Sequence, residues 1–170
     1  MVLQGRRQPR RFVRLYQYRD KFTCVLIGVV NWTAMPSVFP NGMDSTFEKT
    51  HLPVTGHNRW WSDTTTYAKQ NGGKYDFIIQ KESSGTAVPE TALPTTIEFW
   101  RDLFANSTSW GLKVYEQDWL NEQTEKLEEL TTSATLGRDW LMQMGQAAEE
   151  HGINILYCMA MPRHMLQDRV

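Results

Sequence analysis

The architecture of this protein follows from one stretch, Gly111-Leu112-Lys113-Val114-Tyr115-Glu116-Gln117-Asp118-Trp119, an apolar run that begins at a glycine and ends beside two carboxylates. A similar run, Ile153-Asn154-Ile155-Leu156-Tyr157-Cys158-Met159, follows Gly152 about forty residues later, after a helical pattern over 136–151. Strand, helix and strand in this order favour parallel pairing, in which catalytic groups lie at the carboxyl ends of the strands. The pattern therefore predicts an enzyme scaffold with Asp118 as its leading residue.

The rest of the chain extends this alternation. Apolar and β-branched runs predict strands over 22–30, 53–61, 75–79, 112–118 and 153–159. Helices are expected over 43–51, 96–109 and 136–151, with another opening at Pro162 and a long polar excursion over 62–96. The residues expected to face the core are Ile97, Trp100, Leu103, Phe104, Trp140, Leu141, Met144, Ala147 and Ala148.

Two parallel α/β architectures fit this order, a segment of a (β/α)8 barrel and a small doubly wound sheet. No glycine-rich phosphate-binding loop follows any predicted strand, which disfavours the nucleotide-binding doubly wound folds. We therefore expect an α/β fold, a partial TIM (β/α)8 barrel with parallel strands.

Composition sets the class of protein. The 170 residues are 41% hydrophobic and 22% charged, as expected for one globular domain. The net charge of −1 conceals a basic arm, since residues 1–20 contain six Arg and one Asp. We expect a disordered tail at 1–20, rather than a nucleic-acid or membrane site, and a barrel fragment at 21–170.

The seven Trp have two interpretations, a Trp-rich core or platforms on which sugar rings stack. The two cysteines, Cys24 and Cys158, lie in apolar runs and are expected to be buried free thiols. No membrane span is predicted and no convincing signal peptide precedes the first strand. The four His lack metal-ligand spacing, so neither a metal nor another cofactor is expected.

Several segments resemble α-galactosidases and α-N-acetylgalactosaminidases. The sequence Val38-Phe39-Pro40-Asn41-Gly42-Met43 is similar to their Phe-Pro-x-Gly motif, which leads through a helix to a strand. Residues 98–118 look like their helix ending in Trp-Gly and the strand that carries the catalytic aspartate, and 136–162 resembles the following step. The resemblance spans about residues 22–165. It implies a retaining glycoside hydrolase acting on α-linked sugars, with Asp118 as the nucleophile.

One departure concerns the residue two positions before the nucleophile, which is Lys in that family and Glu116 here. Because side chains alternate along a strand, Glu116 and Asp118 share a face, and Glu116 is expected to bind a sugar hydroxyl or to raise the pKa of Asp118. The alternative is structural, with Asp118 capping a turn and Glu116 pairing with Arg59. The remaining candidates for substrate binding follow strand ends: His57, Asn58, Arg59, Trp60, Trp119, Cys158, Arg163 and His164.

A complete (β/α)8 barrel takes about 250 residues, and the family's acid/base follows a sixth strand that this sequence does not supply. We therefore expect a fragment that is inactive alone and whose partners are a carbohydrate and the missing remainder of the barrel, with no nucleic acid. The alternative is a non-catalytic carbohydrate-binding or scaffold remnant. An extracellular or lysosomal location is implied only by the resemblance.

Overall fold

The computed structural model describes residues 28–81 and 91–167. The predicted basic tail at 1–20, Cys24 and most of the first predicted strand lie outside the described residues. In chain order the helices are α1 Gly42–Thr50, α2 Ile97–Ser109, α3 Leu120–Lys126, α4 Glu128–Thr132, α5 Leu136–Glu150 and α6 Pro162–Gln167, and the strands are β1 Val54–Asn58, β2 Phe77–Gln80, β3 Thr91–Pro94, β4 Leu112–Gln117 and β5 Asn154–Tyr157.

The central feature is a parallel three-stranded sheet in the order β1-β4-β5. In its register Glu116 of β4 lies between His57 of β1 and Leu156 of β5. Because all three strands run in the same direction, their carboxyl ends meet at one edge of the sheet. The prediction of an α/β fold with parallel strands is confirmed for this three-stranded sheet.

Helices α2 and α5 cover one face of this sheet. Tyr115 of β4 is fully buried, with its ring centroid 5.9 Å from that of Trp100 and 5.2 Å from that of Phe104. Ile97 is partly buried and the other residues predicted to face inwards are buried, as the helical periodicity requires: Trp100, Leu103, Phe104, Trp140, Leu141, Met144, Ala147 and Ala148.

The opposite face of the sheet is only partly covered by the described residues. Along β4, Val114 and Glu116 are half-buried, whereas Tyr115 and Gln117 on the covered side are buried. Leu156, which lies beside Glu116 on β5, is 44% exposed. The faces of parallel sheets are usually both covered, so this half-exposed face is the unusual one.

Glycines end the two long helices where the sequence pattern indicates. Gly152 follows α5 with a φ of 62°, the N–H of Ile153 donates to the carbonyl of Ala148 at 2.9 Å, and the N–H of Gly152 donates to that of Glu149 at 3.1 Å. This is the Schellman arrangement. Gly111 has a φ of 90°, and a Cβ there would lie 2.3 Å from the Phe47 ring, so the position suits only glycine.

The polar excursion contains more structure than the sequence indicated. β2 and β3 form an antiparallel pair, and β3 is buried throughout. The sequence missed β3 because it is only four residues long and ends in Pro94. The acidic segment at 121–132, for which the sequence pattern predicts no helix, contributes most of α3 and all of α4. The N-cap residue of α1 is Asn41.

Candidate functional site

The candidate site lies at the edge where the three parallel strands end. The backbone N–H of Asp118, one residue beyond β4, donates to the carbonyl of Asn58 at the end of β1, at 2.8 Å. The backbone N–H of Cys158, one residue beyond β5, donates to the carbonyl of Gln117 at 2.9 Å. These bonds extend the ladder past the strands and align Asp118 between its neighbours.

The Asp118 carboxylate is influenced by three polar groups from different segments. Its Oδ2 lies 2.9 Å from Nε2 of His57, its Oδ1 accepts the backbone N–H of Trp119 at 2.7 Å, and the Cys158 thiol is a third group that favours its ionised form. Burial is the largest influence on the pKa of Asp118 and raises it, but Cys158, His57 and the Trp119 N–H together lower the pKa below 3.8. Asp118 is therefore ionised at neutral pH, and its side chain is 12% exposed.

The Cys158 thiol is the reciprocal partner. Its hydrogen bond to Asp118, followed by burial and the charges of Asp118 and Glu116, raises the pKa of the thiol from 9.0 to about 11. The thiol therefore remains protonated at neutral pH and has a hydrogen available for donation. A nucleophilic role for Cys158 loses support, because the thiolate is the reactive form.

Asn58 and His57 point to opposite sides of β1, as alternation along a strand requires. Asn58 is fully buried and its Nδ2 donates to the Tyr115 hydroxyl at 2.7 Å and to Oε1 of Gln117 at 3.3 Å. The Gln117 amide in turn donates to the carbonyl of Arg59. This polar layer, which sequence reasoning missed, supports the strand ends from the covered face. The only signal for it was the alternation of Tyr115 and Gln117 with Glu116.

Two tryptophans lie next to Asp118 in different environments. Trp119 is half-buried with a φ of 60°, and the Arg59 guanidinium lies 5.6 Å from the centroid of its ring. Trp60 is 1% exposed, and Lys126 Nζ lies 4.8 Å from its ring centroid. The two rings meet edge to face with centroids 6.1 Å apart. Trp119 is therefore the more accessible of the two residues, whereas Trp60 acts as packing.

The packing interpretation holds for most of the tryptophans. Six of the seven are no more than 8% exposed, which leaves Trp119 as the partly exposed one. Six tryptophans therefore belong to the core, and Trp119 is the one for which the platform interpretation stays open.

The backbone itself is unusual at this edge. Trp119 and Met159, the residues directly after Asp118 and Cys158, have φ values of 60° and 52°. Left-handed conformations of residues other than glycine are energetically unfavourable and concentrate at functional sites. Both belong to the turns into the next segment, where the N–H of Asn121 donates to the carbonyl of Met159 at 3.2 Å.

Arg163 and His164, which were predicted to bind substrate after β5, lie in a different environment from Asp118. His164 is 3% exposed, its Nδ1 accepts the backbone N–H of Met161 at 2.9 Å, and its Nε2 lies 2.9 Å from the Thr124 hydroxyl. Burial and the neighbouring Arg163 lower the pKa of His164. His164 and Arg163 line a separate cavity of ≈ 60 Å³ with Trp140. In this structure His164 is thus a satisfied buried residue, and Arg163 is exposed.

Within residues 28–81 and 91–167, no group of three or more His, Cys, Asp or Glu side chains is arranged to hold a metal ion. In the same part of the chain, none of the helices combines the length and the apolar character needed to cross a membrane. The sequence matches no model of a known protein family, and no curated protein is significantly similar to it.

Proposed function

We propose that this chain forms part of the (β/α)8 barrel of a retaining glycoside hydrolase acting on α-linked sugars, with Asp118 as the nucleophile. The observation that carries the proposal is an ionised carboxylate at the carboxyl end of the central parallel strand, hydrogen-bonded to His57 of β1 and adjoining the end of β5. A glycosidase nucleophile must be ionised to attack the anomeric carbon. The low pKa of Asp118 meets that requirement.

The surroundings of Asp118 support a carbohydrate as the ligand. The half-buried ring of Trp119 offers an apolar surface beside the carboxylate, and Arg59 lies over that ring. Glu116 shares the strand face of Asp118 and is half-buried, so it remains a candidate to accept hydrogen bonds from a sugar hydroxyl. His57 is 19% exposed and its ring already contacts Asp118.

The barrel is supported by the surfaces that the sheet leaves open. No described strand pairs with the outer edge of β5, and a groove of ≈ 460 Å³ lies there against α5, lined by Gly145, Ala148, Gly152 and Tyr157. A further strand and helix would fill such a groove, and the half-exposed sheet face carrying Leu156 would become barrel interior. In this proposal the remainder of the barrel provides the acid/base, about 5 Å from Asp118.

A second candidate is a non-catalytic carbohydrate-binding barrel. It is favoured by one observation: both oxygens of Asp118 accept hydrogen bonds, and its side chain is only 12% exposed. In that case Asp118 would organise the edge of the sheet, and Trp119 and Arg59 would contact the sugar.

The test is covalent trapping with an activated 5-fluoro-α-galactosyl fluoride, followed by peptide mass spectrometry. Fluoride departs without protonation, so the trap requires the nucleophile and not the acid/base. We expect an adduct on the peptide containing Asp118, none in Asp118→Asn, and normal labelling in Asp139→Asn, whose carboxylate is exposed on α5.

NMR titration of the Trp119 indole N–H with galactose distinguishes the two candidates. Binding without an adduct would support the non-catalytic barrel. An adduct elsewhere, or neither binding nor an adduct, would contradict the assignment of Asp118 as a nucleophile.

A further inference from the structure

We propose that His57 and Cys158 are positioning residues, which donate hydrogen bonds from the strands flanking Asp118 and hold its carboxylate in one orientation. The inference deepens the proposed function and rests on it, because a nucleophile needs a fixed direction of attack. It also changes the expected roles of both residues, which from sequence were candidates for contact with substrate.

The direction of the His57 hydrogen bond follows from the charge of its partner. An ionised carboxylate can only accept, so Nε2 of His57 must carry the hydrogen directed at Oδ2, 2.9 Å away. The ring belongs to β1 and cannot follow a rotation of Asp118, which belongs to β4. Turning the carboxylate would therefore break this bond.

The Cys158 thiol provides the second donor from the opposite side. The register that pairs Gln117 with Tyr157, together with the bond from the N–H of Cys158 to the Gln117 carbonyl, places Cys158 next to Asp118. The proximity of Asp118 raises the pKa of the thiol, so the thiol is protonated at neutral pH and has a hydrogen to direct at the carboxylate. A thiol is a weak donor, but a charged acceptor strengthens the bond.

A third donor completes the constraint. The backbone N–H of Trp119, which begins the turn after β4, donates to Oδ1 at 2.7 Å. The carboxylate is therefore bonded from β1 and from its own loop, and Cys158 adjoins it from the side of β5.

The charged and titratable groups around Asp118 come from each neighbouring segment: His57 from β1, Cys158 after β5, Glu116 from β4 itself, and Arg59 above the Trp119 ring. Removing a donor should raise the pKa of Asp118, because the ionised form loses the bond that favours it. Replacing a donor by another of similar reach should restore the low value. A role confined to packing predicts neither effect.

The experiment is a carbon-13 NMR titration of the Asp118 carboxyl in protein labelled at aspartate. The removing variants are His57→Ala and Cys158→Ala, and the matched conservative variants are His57→Gln and Cys158→Ser. We expect an upward shift of the Asp118 titration midpoint in both alanine variants and a midpoint close to that of the wild type in the other two.

Unchanged midpoints in folded alanine variants would overturn the proposal, as would equal upward shifts in the alanine and the conservative variants. If an alanine variant does not fold, direct titration of the wild-type Cys158 thiol decides, since an ordinary midpoint would mean that no hydrogen bond to Asp118 exists. None of these measurements requires a sugar. A positive titration with a negative trapping experiment would refute the glycosidase while leaving the positioning residues in place.

Discussion

Replacing Asp118 with Asn should make Cys158 react faster with iodoacetamide in mildly alkaline solution. The substitution removes the negative charge and weakens the hydrogen bond that raise the pKa of the thiol from 9.0 to about 11. The thiolate is the reacting form, so the rate depends on the fraction ionised. The change is conservative in shape, which limits its effect on packing.

The magnitude follows from the two pKa values. At about pH 9 a thiol with a pKa of about 11 is about 1% thiolate, whereas one at 9.0 is about half ionised. A thiolate of lower pKa is intrinsically less nucleophilic, which offsets about six- to tenfold of that gain. Burial also raises the pKa and remains in the variant. We therefore expect an increase of about two- to fivefold in the alkylation rate.

The assay is peptide mass spectrometry over a range of pH, which separates the Cys158 peptide from that of Cys24. A change in accessibility alone would scale the rate equally at every pH, whereas a change in pKa alters the shape of the profile. Glu116→Gln is the control, because the charge of Glu116 influences the thiol less than Asp118 does. The reasoning is refuted if Asp118→Asn leaves the profile unchanged, or if Glu116→Gln has the larger effect.

Three further predictions concern stability. Because folding lowers the pKa of Asp118, ionised Asp118 stabilises the protein above pH 3.8, and this stability is lost as the pH falls through the pKa of the folded state. The difference in free energy of unfolding between wild type and Asp118→Asn, measured in urea, should therefore shrink from about pH 6 to about pH 3. Phe99→Ala should lower the free energy of unfolding by about 3–5 kcal/mol in urea, because the Phe99 ring is 1% exposed within the aromatic core; a loss below about 1 kcal/mol would contradict that placement. Gly111→Ala and Gly152→Ala should each lose about 1–2 kcal/mol in thermal unfolding from the left-handed backbone. The loss should be greater at Gly111, where the new Cβ meets Phe47, and equal losses would count against that contact.

Local signals predicted the elements that surround the site. The apolar periodicity of α2 and α5 was read correctly, because each helix buries one continuous stripe against the sheet. Strands β4 and β5 were also found, since each apolar run begins just after a glycine that ends a helix. The buried strand β3 was missed, because its environment is created by Trp61 and β2, which lie elsewhere in the sequence.

The sequence by itself determined that Asp118 ends a strand of a parallel sheet, because the strand pattern, the glycine before it and the helical crossover are all local properties of the chain. Only the tertiary structure decided which groups meet the carboxylate. His57 and Cys158 reach Asp118 because the register aligns three strand ends, and register depends on packing between distant segments. The same packing buries Trp60 and leaves Trp119 partly exposed. Because both residues are tryptophan, the sequence alone does not show which of them is buried.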